Sequence, residues 1–472
     1  MPLAPIQDHL SAPRGLGALA GAPHSGAAGG AVCGDIIRIA VRVEDGVVAE
    51  AGFDASGCAA ARAAGSAVVE LVEGAGALSA ASIGPVQVAG ALGGLAPSHS
   101  HAADLAVDAL HRALGAAARD GAIHLAPRPG RTLVAMSGGV DSAVAALLAA
   151  RAGEDVLAVT LELWADPATD GEKSCCSPQA VTGARALAHR MGIPHLTLDL
   201  REDFEREVVD PFVTGYSGGV TPNPCTSCNG RVRFGAMLAL AEALGAERLA
   251  TGHYARIADD GRGPLLERAA DDHKDQAYML ARLRPEQLER LSFPLGALTK
   301  PEVREIAREA GLPVADRRES QDLCFLAGRR REEFLARRGA KPAGPGPIVD
   351  RRGRVLGEHA GHERFTVGQR KGIKLAAEEP LFVLHKDPEA NVVMVGPRSA
   401  LATDRVRLDP IALERPENEV DRVKLRYRSA PVACRVRGDV VELEDTVDGA
   451  APGQLACLMN GSRVLGWGTV AG

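Results

Sequence analysis

Ser137-Gly138-Gly139-Val140-Asp141-Ser142, directly after the apolar run Thr132 to Met136, brings together residue types that gather backbone N–H groups. Two adjacent glycines permit a turn tight enough to expose consecutive amides. A helix beginning near Asp141 aims its unpaired N-terminal donors at the same spot. Ser137 and Ser142 add hydroxyls, so the loop, with Ala135 and Met136 leading into it, reads as an anion pocket. It lacks the Gly-Lys-Ser/Thr ending with which a Walker loop brings a lysine to the terminal phosphates. Cysteines form the next chemical group. Cys225 and Cys228 stand in Thr221-Pro-Asn-Pro-Cys-Thr-Ser-Cys-Asn229, stiffened by two prolines, and Cys324 follows far down the chain. Such a set suits a structural zinc, an iron–sulfur cluster or a sulfur-transfer pair. No second Cys-x-x-Cys or finger-spaced histidine pair follows, which weakens zinc. Cys175-Cys176 reads as buried or incidental.

The elements that must position these groups are bounded by composition. A length of 472 residues suggests about three domains at ~150 residues each. Hydrophobic content of 46% with 24% charged residues is ample for sizeable cores. No apolar run approaches the ~18 residues that span a bilayer, and the N-terminus has no basic start before a long apolar stretch. The expected compartment is therefore the cytoplasm, where nine cysteines point to metal or thiol chemistry rather than structural disulfides. The net charge of −6 is uneven, because residues 1–125 carry eleven Asp/Glu and six Arg. An acidic total still permits a nucleic-acid partner if a basic stripe is local.

The pattern is α/β with several domains. Residues 1–30 read as a flexible arm rich in Ala, Gly and Pro. Residues 31–115 read as an α+β domain with strands at Ile37–Val43 and Val47–Phe53 and helices at Ala59–Val72 and Ala103–Leu114. Residues 116–130 form a linker. In 131–340 strands at Thr132–Met136, Val156–Leu161, His195–Leu198 and Arg248–Thr251 alternate with helices, one opening on Ser177 as cap and Pro178 at its first turn. That alternation predicts a Rossmann-like parallel sheet with ligands at the carboxyl ends of its strands. Short alternating segments then predict a small β-rich domain over 341–402 and a β-barrel over 403–472.

SGGxDS resembles the pyrophosphate loop of the ATP pyrophosphatases, which split ATP between the α and β phosphates. From about Gly130 onward the ordered set of motifs resembles the tRNA-specific 2-thiouridylase (MnmA) family. The matching stretches are SGGVDSAV, Leu161 to Trp164, the Thr221–Asn229 loop, Ala250-Thr-Gly-His-Tyr-Ala-Arg256, His273-Lys-Asp-Gln-Ala-Tyr278, Lys300-Pro-Glu-Val-Arg304, Cys324-Phe325, Thr366-Val-Gly-Gln-Arg-Lys-Gly372, Leu425-Arg-Tyr-Arg428 and Pro452-Gly-Gln454. The resemblance implies adenylation of the 2-oxygen of a wobble uridine by ATP with Mg2+, then its replacement by sulfur. It implies that residues 135–142, Leu161 and Gly252 contact ATP, with Asp141 a partner for Mg2+. Cys324 would carry sulfur as a persulfide, supplied by a cysteine desulfurase or a sulfur relay protein, and Cys228 would be the nucleophile that frees it. Asn223 and Pro224 would face the base. His253, Lys274, Asp275, Gln276, Arg426, Tyr427 and Gln454 would touch tRNA around its anticodon loop. The sequence departs from the family at Cys225, where an aspartate is usual. Three thiolates, Cys225, Cys228 and Cys324, with an open fourth position also suit a [4Fe–4S] cluster.

Residues 31–115 resemble the IscU/NifU-type iron–sulfur scaffolds. Cys33-Gly34-Asp35 opens a strand, Gly57-Cys58 opens a helix, and Leu105-Ala-Val-Asp-Ala-Leu110 closes the domain. The resemblance implies Cys33, Asp35 and Cys58 as metal or sulfur ligands. The third cysteine is missing from Ser98-His-Ser-His-Ala-Ala103, which leaves His99 or His101 as substitute and a metal-free docking domain as the alternative.

Arg422, Lys424, Arg426 and Arg428 fall at every second position, as do Arg435 and Arg437. On strands they would share a face and track phosphates. Two other functions remain compatible with the motifs: a thiolase or ligase of the same loop type acting on another substrate, and a non-catalytic iron–sulfur carrier.

Overall fold

The alternation of apolar residues at Val134, Leu157, Val159, Leu196, Leu198 and Leu249 builds a parallel sheet, because residues of both faces are buried. In the computed structural model its five strands run in the order Leu291–Ser292, Ala246–Thr251, Arg128–Ala135, Asp155–Glu162 and His195–Asp199. Every pairing in it is parallel, and Ala135 stands opposite both Val159 and Thr251. The structure describes residues 5–19, 21–29, 34–165, 177–317, 323–341 and 343–471. Cys33, Cys175 and Cys176 lie outside the described residues.

The chain divides into two compact units. The first comprises residues 1–201, 235–253 and 290–325, and so holds both the N-terminal domain and the parallel sheet. The segment expected to be a flexible arm is structured. Pro5–Ser11 is a helix, and Ser25–Gly29 is an antiparallel strand paired with Ile36–Glu44. Alternating small residues let it fit, since a Cβ at Gly26 would sit 2.3 Å from the Ala109 carbonyl oxygen. The three-stranded sheet is completed by Val47–Ser56, and the helices Ala59–Val72 and Ser100–Arg119 cover it. Ala103, Ala106, Val107, Leu110, Ala113, Leu114 and Ala117 recur at helical spacing along the long helix and are all buried. This helix runs to Arg119 and the next strand begins at Arg128, so the linker is shorter than expected.

The long helix also lies against the edge strand His195–Asp199. A Cβ at Gly115 would meet the Thr197 carbonyl oxygen at 1.9 Å, and the His195 N–H donates to the Ala81 carbonyl. A chain of neutral imidazoles crosses the contact. His111 Nε2–H donates to the Ile83 carbonyl (3.1 Å) and its Nδ1 accepts from His195 Nδ1–H (3.2 Å). His195 Nε2 in turn accepts from the Thr160 hydroxyl (2.8 Å). This tautomer assignment satisfies every one of those atoms. Burial holds both rings well below the usual imidazole range.

The second unit takes residues 202–234, 254–289 and 326–472. The stretch expected as a single domain over 131–340 therefore passes between units. The reason is visible in the hairpin Arg256–Asp259 and Pro264–Glu267, which joins the barrel through Glu267 opposite Arg463. The central domain is a four-stranded sheet around Ile348, Val383, Val393 and Val395. The barrel has six antiparallel strands, closed where Ala402–Leu413 pairs with Arg463–Val470 as well as with Val440–Asp448. Val406, Val423, Val441, Leu458 and Leu465 fill it.

Candidate functional site

The phosphate loop leaves the central strand at Ala135 and enters the helix Val140–Arg151 with Gly139 as its cap. Gly138 has φ +72°, and a Cβ there would lie 3.0 Å from the Ala180 carbonyl oxygen and 3.4 Å from the Ala184 nitrogen. Only glycine meets both demands. Ser142 is buried and braces the turn, accepting from the Ser137 N–H (3.1 Å) and donating to the Gly139 carbonyl (3.1 Å). Ser137 is exposed, with its hydroxyl 3.2 Å from that of Ser142. Leu161 is the last residue but one of the neighbouring strand on one side, and Thr251 ends the strand on the other. Gly252 follows it, where a Cβ would meet the Asp141 carbonyl carbon and the Ser142 nitrogen at 2.7 Å each. The expected ATP residues thus gather at the carboxyl ends of three adjacent strands.

Two cations missed by the sequence reading complete the loop. Lys300, buried at the start of the helix Lys300–Glu309, donates to both Asp141 oxygens (2.6 and 2.8 Å). Arg317 donates to the Gly138 carbonyl (2.9 Å). Lys300 stood inside a quoted motif and is one of eight lysines in the chain, which was the available signal. His253 bonds Thr251 through its Nδ1 (2.8 Å), and its ring meets Phe293 edge-on.

Cys225 and Cys228 belong to the second unit, and Cys324 to the first. Asn223 caps the short helix Pro224–Ser227, accepting from the Thr226 N–H. The backbone then widens into a π-type turn from Cys228 to Arg233, a local geometry concentrated at functional sites. Cys225 lies half-buried and Cys228 buried, one turn apart. Asn229 donates to the Met279 carbonyl (3.1 Å). Cys434 and Cys457 are free thiols in the barrel, but burial pushes each up to about 12 and leaves them inert.

The residues assigned to tRNA by resemblance divide into two groups. Arg426 is exposed, with one nitrogen on the Asp448 and Gly449 carbonyls, and Tyr427 lies near the Tyr278 ring. Lys274 and Gln276 are half-buried, and Gln276 accepts from the Tyr254 N–H. Gln454 donates to the Thr221 carbonyl (2.7 Å), so the barrel turn Pro452–Gln454 braces the proline-stiffened cysteine loop. Asp275 is a correction. It is buried and accepts from the Ala269 and Ala277 N–H groups, Arg268 and Lys424. A carboxylate committed to four donors holds the hairpin and barrel together rather than facing RNA.

The expected basic stripe is also corrected. Its strand ends after Lys424, because Ser429 closes a turn onto the Arg426 carbonyl and Pro431 cannot extend the ladder. Lys424 points inward to Asp275, and Glu442 pairs with both Arg405 and Arg437 (3.2 Å each). Arg426, Arg428 and Arg435 remain exposed.

In the N-terminal domain Asp35, Cys58 and His101 bring their ligand atoms within 4.8 Å of one another. Asp35 accepts from the Cys58 N–H (2.9 Å) and thiol (3.0 Å), and lies 2.9 Å from His101 Nε2. Gly57 has φ +124°, and a Cβ there would fall 2.0 Å from the Asp35 Oδ1. Burial first, and then the Asp35 hydrogen bond, push the Cys58 thiol up. A thiol, an imidazole and a carboxylate at this spacing fit a borderline-soft divalent ion such as Zn2+ or Fe2+. His99 is exposed and turns to Ser98, which selects His101 of the two candidates.

Comparison with known proteins matches residues 4–119 to the NifU-like N terminal domain family and 130–328 to the tRNA methyl transferase HUP domain family. Residues 332–397 match the tRNA methyl transferase PRC-barrel domain, and 410–470 the aminomethyltransferase beta-barrel domain. The chain is 44% identical over 487 residues to the bifunctional protein NifU/MnmA of Rubrobacter xylanophilus, covering 99% of this chain and 98% of that one. It is also 44% identical to the tRNA-specific 2-thiouridylase MnmA of Sorangium cellulosum, over 74% of this chain and 95% of the relative. The same identity holds for the enzyme of that name from Moorella thermoacetica, over 72% of this chain and 98% of the relative.

Proposed function

The chain belongs to the tRNA-specific 2-thiouridylase family, in a form fused to a NifU-like domain, and from that premise we propose how its residues divide the work. It exchanges the 2-oxygen of a uridine in tRNA for sulfur. That oxygen leaves poorly until it carries AMP. The uridine oxygen attacks the α-phosphorus of ATP, the bond to the bridging oxygen of the β-phosphate breaks, and pyrophosphate departs. The amides of Ser137 to Ser142 and the helix end behind them receive the developing negative charge. Lys300 and Arg317 supply fixed positive charge at the loop. Asp141 is the residue that would hold Mg2+, which neutralises phosphate charge.

Sulfur then takes the place of AMP. Cys324 carries it as a persulfide, whose terminal sulfur attacks C2 of the uridine while AMP leaves with the electrons of the C2–O bond. The Cys228 thiolate attacks the Cys324 sulfur, releasing the 2-thio group and closing a disulfide. A thiol reductant must reopen that bond with two electrons, and a desulfurase or relay protein reloads Cys324. Asn223 and Pro224 face a base turned out of the single-stranded anticodon loop, and Arg426 and Tyr427 hold the RNA. The cytoplasm, where tRNA is modified, is the compartment this chemistry requires; no described helix is long and apolar enough to cross a membrane. Cys225, one turn before Cys228, favours a second reading in which the three cysteines would hold a [4Fe–4S] cluster, which would supply sulfide-binding chemistry.

The observation that supports the adenylating reading most directly is Gly138 seated at the strand ends with Lys300 on Asp141 beside it. Purified enzyme with ATP, cysteine, a desulfurase and tRNA should release AMP and pyrophosphate and yield thiolated nucleoside by mass spectrometry. Cys228→Ser and Cys324→Ser should bind ATP and form no thiolated product. Absence of tRNA-dependent AMP from the wild type overturns the reading. Iron and sulfide in anaerobically purified protein, lost in Cys225→Ser, decide for the cluster over the persulfide.

A further inference from the structure

The long helix of the N-terminal domain carries a buried carboxylate to the nucleotide-binding domain. Asp108, on the long helix Ser100–Arg119, is 5% exposed. Its Oδ1 accepts from Arg185 (2.9 Å) and its Oδ2 pairs with Arg112 (2.9 Å). Arg185 is 1% exposed, and its second terminal nitrogen turns to the Asp104 backbone carbonyl (3.5 Å) and side chain (3.8 Å). Arg112 goes on to grip Glu162 with two bonds, Nε to Oε2 at 3.0 Å and Nη2 to Oε1 at 2.6 Å.

Both ends of this network reach the phosphate site. Arg185 follows Ala184 in the helix Pro178–Arg190, and that turn is the wall on which Gly138 rests. Glu162 follows Leu161 at the end of the strand beside the loop. The pairs are withdrawn from water, where an ion pair is little screened and a lost partner leaves a costly unpaired charge. Each pair uses a planar guanidinium, which fixes direction as well as distance, and the Arg112–Glu162 pair is bidentate.

We propose that Asp108 and Arg185 are positioning residues for ATP, so that the fused N-terminal domain is a structural part of the nucleotide site. This rests on the adenylating reading above. A pair that merely glued two domains would lower thermal stability when broken and leave nucleotide affinity alone. A positioning pair changes affinity, because the helix turn under Gly138 shifts with Arg185.

The test is equilibrium binding of α,β-methylene-ATP to the full chain, without tRNA or a sulfur source. Asp108→Asn and Arg185→Met should each weaken binding about tenfold, a size expected for coupling through packed elements. The double variant should be no weaker than the poorer single one, since the two act as a unit. Arg185→Lys, which keeps the charge but loses the planar fork, should recover only part of the loss, and tRNA affinity should stay within about twofold in all of them. If Arg185→Met fails to fold, Asp108→Asn decides, as it keeps shape and one acceptor. Folded Asp108→Asn with wild-type affinity overturns the inference alone. Wild-type protein that does not bind the analogue overturns the adenylating reading and the inference with it.

Discussion

Two turns in the first unit are built on one plan and are surrounded by side chains of opposite charge. The phosphate loop and the Gly57-Cys58 turn each use a glycine at positive φ where a Cβ would strike a neighbour, and each delivers the chain into a helix. A helix start offers donors and partial positive charge, so it favours anions by default. At Ser137 to Ser142 the surroundings reinforce that default with Lys300 and Arg317. At Cys58 they reverse it, since Asp35 caps the Cys58 N–H with its carboxylate and His101 adds an imidazole. The local turn supplies geometry, and side chains brought from distant parts of the chain choose the ion.

Exchanging the glycines is the strongest way to break this comparison. Gly138→Ala should cut tRNA-dependent AMP formation by about a hundredfold, the cost of a roughly 1 Å displacement at a reacting centre, with Zn2+ binding unchanged. Gly57→Ala should do the converse. A methyl in the Asp35 carboxylate should abolish stoichiometric Zn2+ binding, read by equilibrium dialysis, and leave α,β-methylene-ATP affinity intact. If either variant damages both readouts, the two turns are not independent sites. Lys300→Met should weaken ATP binding on the order of tenfold, as for one lost charge-assisted bond. Unchanged affinity would make the Asp141 pair a fold contact only.

The turns themselves were legible in the sequence because their requirements are local: a glycine pair after a β-run, a Gly-Cys before a helical period. Ser177 as a cap with Pro178 behind it was legible for the same reason, and its hydroxyl accepts from the Ala180 N–H. Arg317 left no local trace and Lys300 only its place in a quoted motif, since they reach the loop from 159 and 179 residues away. The arm over residues 1–30 was misread because alanine and glycine spell flexibility in isolation, whereas Gly26 is small to admit the Ala109 carbonyl. The basic stripe failed on a different point. Period-two spacing says which residues share a face only while the strand lasts, and this one stops at Lys424.

The imidazole chain across the first unit sharpens the comparison, because it ties the domain of one turn to the domain of the other. His111 and His195 have folded-state pKa values held down by burial. The unfolded chain takes up protons below the ordinary value while the folded one does not, so stability is whole above about 6.5 and falls as pH drops. The protein should therefore be measurably less stable at pH 5 than at pH 7. Urea midpoints at pH 7 and pH 5 measure it, and His111→Gln should flatten the difference. A pH-independent midpoint in the wild type would mean that the rings are not buried neutral.

The smallest effect concerns what keeps the Cys58 turn quiet. Its thiol is pushed up mainly by burial and next by Asp35, which accepts the S–H and would repel a thiolate. Asp35→Asn removes the second cause and keeps the first. The nucleophile in alkylation is the thiolate, so the variant should react with iodoacetamide at pH 8 about threefold faster at Cys58, with Cys58→Ser as the blank for the other thiols. An unchanged rate would assign the whole suppression to burial. Asp35 would then serve as ligand and cap alone, and the likeness between the turns would end at their glycines. A faster rate means that one carboxylate sets both the geometry and the reactivity of its turn, which no single residue does at the phosphate loop.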